Sequence, residues 1–195
     1  MPSLLPRSAP LWLTGPIVGV LARLGISPNM LTTAGVLGNI AAAVLAARGD
    51  FLPAGIIVLA ASSLDMFDGA LARATGRVTD FGSVFDSVMD RVSEAAVLLG
   101  LLIYFSDRGS QTEELLIFIA VAASFLVSYT RARAQIIGIE LREGMFTRAE
   151  RVIVLGVGLM IDQVTPTLWI LAVLAGATAA QRLLIVWLRT RARQE

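Results

Sequence analysis

The sequence predicts an all-α integral membrane protein, with six transmembrane helices preceded by an N-terminal interfacial helix. Three observations carry that expectation. The 195 residues are 56% hydrophobic and 16% charged, with a mean hydropathy of +0.75, whereas soluble domains carry about 25% charged residues. Apolar runs recur at lengths suited to a hydrocarbon core about 30 Å thick. The arginines, which make up all sixteen basic residues, alternate between rich and poor loops. Composition also excludes chemistry. With no cysteine and no histidine there is no disulfide framework, no thiolate or imidazole metal site, and no histidine general base. Carboxylates remain as the candidate metal ligands.

Taken in order, the chain reads as one domain over residues 1–195, with an interfacial segment at 1–26 and a six-helix bundle at 27–195. Met1 to Pro10 lacks the pattern of a cleavable signal peptide. The following "APLWLTGPIVGVLARLG" is interrupted by Pro10 and Pro16. It suits a helix lying on the membrane surface, or equally a short arm packed on the bundle. The six apolar segments run from Met30 to Ala47, Leu52 to Ala74, Gly82 to Phe105, Glu114 to Gly138, Arg151 to Val164 and Leu168 to Leu188. The stretches "RGDFLP", "TGRVTD", "SDRGSQTEE", "GIELREGMFTRAE" and "DQVTP" separate them. There is no linker, low-complexity tract or internal repeat.

Thirteen arginines fall on one side of this layout: Arg7, Arg23, Arg73, Arg77, Arg131, Arg133, Arg142, Arg148, Arg151, Arg182, Arg189, Arg191 and Arg193. Arg48 and Arg108 fall on the other, and Arg91 lies within the third segment. The positive-inside rule then puts both termini in the cytoplasm. The loop between segments two and three opens to that side. Arg189, Arg191 and Arg193 read as setting topology and nothing more.

That loop is flanked by four aspartates. Asp65 and Asp68 are three apart, Asp86 and Asp90 four apart, so each pair occupies one face of its helix. A short loop makes the two helices antiparallel neighbours, and the four carboxylates converge near the cytoplasmic surface. Such acids are costly to hold beside lipid unless compensated. Hard divalent cations compensate them, since oxygen ligands suit these ions. Two ions shared by four carboxylates are suited to phosphoryl transfer. Gly69, Ala72 and Gly82 either let a bulky group approach the backbone or pack helices, as Gly35, Gly38, Gly156 and Gly158 do.

The pattern Asp65-x₂-Asp68-Gly69-x₂-Ala72-Arg73-x₈-Gly82-x₃-Asp86-x₃-Asp90 resembles the signature of the CDP-alcohol phosphotransferases. A chance match is on the order of 10⁻¹⁰ per starting position. The resemblance implies a dimeric membrane enzyme that moves a phosphatidyl group from a CDP-linked lipid to an alcohol and releases CMP. It implies Mg²⁺, with Mn²⁺ a substitute, as two ions per site held by Asp65, Asp68, Asp86 and Asp90. Asp90 would also take the proton of the acceptor hydroxyl. Asn29, Met30, Leu31, Thr32, Gly69, Arg73 and Thr79 would bind the CDP-lipid. Ser27 and Asn29 can also be read as helix-capping residues.

"SYTRARAQ", "TRAERV" and "QRLLIVW" resemble the bacterial phosphatidylinositol-phosphate synthases, which join CDP-diacylglycerol to a myo-inositol phosphate. Arg131, Arg133, Arg148, Arg151 and Arg182 would then bind the acceptor phosphate, for which arginine forks are suited. Arg131 stands where that branch has lysine, and Thr147 where it has glutamate. The expected partners are CDP-diacylglycerol, myo-inositol phosphate, membrane lipids and a second copy of the chain, with no nucleic acid. The expected location is the inner cell membrane. Competing readings are phosphatidylglycerol-phosphate synthesis or another CDP-alcohol transfer, an intramembrane cation transporter, and a structural protein with a divalent-cation site. A transporter calls for acids spread through the membrane depth and a matching second half, and these acids cluster at one end.

Overall fold

A computed structural model describes residues 11–141 and 143–193. Arg7 and the rest of residues 1–10 of the N-terminal segment, and Arg142 in the basic loop, lie outside the described residues. The described chain is helical, with elements α1 (Leu11–Arg23), α2 (Pro28–Arg48), α3 (Phe51–Ala74), α4 (Asp80–Ser106), α5 (Gln111–Ile136), α6 (Arg148–Met160) and α7 (Val164–Arg191). Six helices follow α1, in the expected order. Among the described residues, α2, α3, α5 and α7 are long and apolar enough to cross a bilayer. The protein is therefore a multi-pass membrane protein by length and composition. α4 has the length, at 27 residues, but carries Asp80, Asp86, Asp90, Arg91 and Glu94 in its first half. α6, at 13 residues, rises only about 20 Å, less than the hydrocarbon core.

Local chemistry sets the helix ends. Ser27 caps α2 by accepting the Met30 N–H, with Pro28 at the first helical position. Gly49 ends α2 with a φ of 89°, and its N–H closes on Ala46 and Leu45. Gly76, at φ 66°, turns the chain after α3. Thr79 then caps α4 by accepting the Gly82 N–H at 3.0 Å. Thr147 and Glu150 form a reciprocal capping box at the start of α6. Such a cap stabilises a helix by about 1 kcal/mol. Pro16 lies inside α1 without ending it. α1 packs on α3 and places Val18 in a small apolar cluster with Leu31 and Leu71.

α2 is the central post. It packs along both α3 and α4, while α5 pairs with α7, α3 with α6, and α4 with α5. This corrects one expectation. α3 and α4 are consecutive and joined by a short loop, yet they do not form a packed pair; α2 lies against both of them, and the gap this leaves becomes the site. The main core gathers Val58, Val97, Leu98, Leu101, Leu159 and Leu168, each at most 2% exposed. Leu37, Leu99, Phe118 and Trp169 are exposed on helix faces, as side chains meeting lipid are.

Small residues let the helices close. A Cβ on Gly100 would stand 2.2 Å from the Ala43 carbonyl oxygen, and one on Gly158 would stand 1.9 Å from Thr167 Oγ1. Gly176 has nothing within 4 Å. Gly100→Val is therefore expected to lower the detergent-solubilised melting temperature sharply or abolish folding, because α2 backbone cannot yield as a flexible side chain can. Gly176→Ala is expected to leave it unchanged or slightly raised. Equal melting temperatures for the two variants would contradict this packing.

Candidate active site

The carboxylates occupy the gap between α3 and α4, with α2 as its back wall. Asp68 is 5% exposed. Its Oδ2 accepts the Thr32 hydroxyl at 2.7 Å, and its Oδ1 accepts the Gly69 N–H. Beside it, Gly35 of α2 leaves room for Asp65: a Cβ there would lie 3.0 Å from Asp65 Oδ1. Asp86 comes within hydrogen-bonding reach of Asp68 and within electrostatic reach of Asp65. Asp90, one turn further along α4, interacts with Asp86 and Asp65. Four acids from two helices thus interact across one gap.

A single cation from α6 sits among them. Arg148 donates Nη2 to Asp65 and Nη1 to Asp90, both at 2.7 Å. It therefore ties α3 and α4 together across their gap. The Nε of Arg148 is buried with no partner among the described residues. No three acidic side chains among the described residues stand around one point closely enough to hold an ion. The guanidinium keeps Asp65 and Asp90 apart while neutralising them. In kind and number the donors fit hard divalent ions: all are carboxylate oxygens, and the cluster already recruits positive charge.

The other expected residues fall into three places. Asn29 sits at the start of α2 near the start of α4, its Oδ1 3.6 Å from a Cβ built on Gly82. Thr79 and Gly82 form the cap beneath it. Met30 is exposed, while Leu31 is buried in the α1 cluster. Arg73 folds back over Gly69, whose Cβ position lies 3.4 Å from Arg73 Nη1. Asn29, Met30, Gly69, Arg73 and Thr79 thus lie toward one end of the bundle, beside the N-termini of α2 and α4, and helix N-termini suit phosphate. Thr32 differs: its hydroxyl is bonded to Asp68.

The five arginines separate. Arg131 and Arg133 are exposed near the end of α5. Arg148 is in the aspartate pocket. Arg151 is 3% exposed and forks onto Glu94, with Nε to Oε1 at 2.6 Å and Nη2 to Oε2 at 2.8 Å. Arg182, 5% exposed, donates to the carbonyls of Glu143 and Val127 at 3.0 and 2.7 Å. Arg151 and Arg182 therefore bind protein groups deep in the bundle. Arg189 and Arg193 also do more than set topology. Arg189 reaches the Glu140 carbonyl and the Glu143 carboxylate, and Arg193 reaches the carbonyls of Ile137 and Gly138. Together with Arg182 they pin the α5–α6 loop that leads into Arg148.

Sequence reasoning missed Glu94, whose Oε1 also accepts the Ser124 hydroxyl at 2.8 Å. The signal was present: Glu94 continues the four-residue spacing of Asp86 and Asp90. Thr147, where the resemblance led to an expectation of glutamate, is the helix cap described above.

Residues 25–190 match the family model for CDP-alcohol phosphatidyltransferase. The chain belongs to that family. It is 37% identical over 163 residues to the archaetidylinositol phosphate synthase of Pyrococcus horikoshii, covering 83% of this chain and 84% of that one. It is 33% identical to the phosphatidylinositol phosphate synthase of Mycobacteroides abscessus, over 94% of this chain and 87% of that one. Among solved structures it resembles the phosphatidylinositol phosphate synthase of Mycobacterium tuberculosis with CDP-DAG bound, with a TM-score of 0.82, 32% identity, and coverage of 90% of this chain and 94% of the other. The same enzyme in complex with manganese and citrate superposes with a TM-score of 0.81. As a CDP-alcohol phosphatidyltransferase, this chain is an enzyme of phospholipid synthesis, and its family uses a divalent metal.

Proposed function

We propose that the protein transfers the phosphatidyl group of CDP-diacylglycerol to a myo-inositol phosphate and releases CMP. The observation that carries this is the gathering of Asp65, Asp68, Asp86 and Asp90 in one gap, with an arginine of α6 beside the base. The two relatives described differ in the lipid named and agree in the inositol phosphate, which favours that acceptor over glycerol phosphate. Mg²⁺ is the proposed ion, replaceable by Mn²⁺, with two ions per site. Six membrane crossings are proposed, the weakly apolar α4 and the short α6 crossing within the bundle. α1 lies at the interface, both termini and the active site face the cytoplasm of the cell membrane, and the working unit is a homodimer.

The residues divide the work. Asp65, Asp68, Asp86 and Asp90 would hold the ions, which when bound would neutralise these acids, draw charge from the diphosphate and make an acceptor hydroxyl more acidic. Asn29, Met30, Leu31 and Thr32 at the start of α2, with Gly69 and Thr79, receive the CDP end. Arg73 swings from Gly69 onto the diphosphate. Arg148, with Arg131 and Arg133 at the entrance, takes the acceptor phosphate; Arg151 and Arg182 serve the same pocket by holding α6 and its loop in place. The acceptor hydroxyl oxygen bonds to the phosphorus on the diacylglycerol side as the bond to CMP breaks, and Asp90 accepts the hydroxyl proton. Positioning and charge stabilisation carry the catalysis.

Purified protein given CDP-diacylglycerol and Mg²⁺ with inositol phosphate, glycerol phosphate or serine in parallel tests this reading. CMP and a new lipid are expected with inositol phosphate. Turnover with glycerol phosphate alone would reassign the acceptor, and no CMP with any of the three would defeat the reading.

A further inference from the structure

Glu94 lies outside the eight-position aspartate pattern but extends it: Asp86, Asp90 and Glu94 stand at successive four-residue steps on α4. α6 answers with Arg148 and Arg151, three apart. Two rungs result, Asp90–Arg148 at 2.7 Å and Glu94–Arg151 at 2.6 Å. α6 packs chiefly on α3 and α7, so the rungs join α4 to α6 where backbone packing does not. A small cavity lies around them, with Asn39, Ser62, Ser93 and Ser124 among its polar lining.

The two arginines are held very differently. Arg151 is 3% exposed and bound through Nε and Nη2 to a carboxylate that Ser124 also fixes. Arg148 is 27% exposed, and its buried Nε has no partner among the described residues. One arginine is enclosed and the other is open to an incoming group. A guanidinium as buried as Arg151 requires an anion. On the face of α4 that it meets, the next acid is Asp90, one turn or about 6 Å away along the axis.

We infer that Glu94 is a positioning residue of the transfer site: by locking Arg151 one turn deeper, it leaves Asp90 to its ion pair with the more accessible Arg148, beside the charge of Arg91 on its own helix. Without the two-point hold of the Glu94 carboxylate on Nε and Nη2, Arg151 turns to Asp90 and competes with any ion for it. The inference rests on the proposed role of the aspartates as ion ligands.

Mn²⁺ binding to the purified, substrate-free protein, read from the electron paramagnetic resonance signal of free Mn²⁺, tests it. Glu94→Gln is expected to weaken binding about tenfold or more, as loss of an outer partner of a metal ligand does. Adding Arg151→Met to Glu94→Gln is expected to restore it, because no stray guanidinium remains. Unchanged binding in Glu94→Gln, or a double variant as weak as the single, overturns the inference. Asp90→Asn separates the two ideas. If it is weakened while Glu94→Gln is not, only the inference falls; if the parent binds no Mn²⁺, or Asp90→Asn binds like the parent, the ligand reading falls and the inference with it. Should Glu94→Gln not fold, Glu94→Asp keeps the charge but is too short to hold both Arg151 nitrogens. Weakened Mn²⁺ binding is then expected, and unchanged binding overturns the inference.

Discussion

Asp90→Asn is expected to lower kcat by about 10³-fold or more, while CDP-lipid binding persists with a much smaller loss, because the other three aspartates and the start of α2 still receive its CDP end. The substitution keeps the shape of the side chain and removes two things at once. One is the proton acceptor for the incoming hydroxyl. The other is one of the four anionic charges that gather in the gap. Asn can still accept one hydrogen bond from Arg148 Nη1, which meets Asp90 Oδ1 in the parent, so the fold has little to lose. CMP release measured under saturating substrate, beside equilibrium binding of the CDP-lipid, checks both halves. A variant with near-parental kcat would remove Asp90 from the chemistry. A variant that cannot bind the CDP-lipid would move Asp90 from the acceptor side to the donor side.

Arg148→Gln is expected to raise the KM for the inositol phosphate about 30- to 100-fold, equivalent to about 2–3 kcal/mol for a charge-assisted contact. The KM for the CDP-lipid is expected to change less than about twofold, since uniform binding of one substrate is what is lost. Arg148 is the arginine of α6 that is both within reach of Asp90 and open enough to be approached. Steady-state kinetics with each substrate varied in turn decides it. An unchanged acceptor KM would transfer the phosphate to Arg131 and Arg133, which are exposed at the end of α5.

Much of the site was readable in the residues themselves because helices convert spacing into direction. Asp65 with Asp68, and Asp86 with Asp90, could be assigned to single faces from their separation alone. The membrane class followed from charge content, and the order of the helices from turn residues. What could not be read was which helices touch. The short loop after α3 favoured α3 and α4 as neighbours, yet α2 takes both as partners, since tertiary packing and not loop length chooses contacts. The partners of the arginines were hidden for a related reason. Arg151, Arg182 and Arg189 sit in segments of similar composition, but one meets a buried glutamate and the others meet carbonyls of the α5–α6 loop. Nothing in the sequence distinguishes a guanidinium that waits for phosphate from one that is already occupied. Glu94 was the opposite case: its place in the four-residue series was visible, and only its buried partner gave the series meaning.

The grip of Arg182, Arg189 and Arg193 on the carbonyls of Ile137, Gly138, Glu140 and Glu143 also reaches the acids at a distance. The stretch they hold leads into Arg148, which meets Asp65 and Asp90. A helix whose arginines never touch the acids thus sets where their counter-charge stands, and a disturbance of α7 would travel to the gap through that loop.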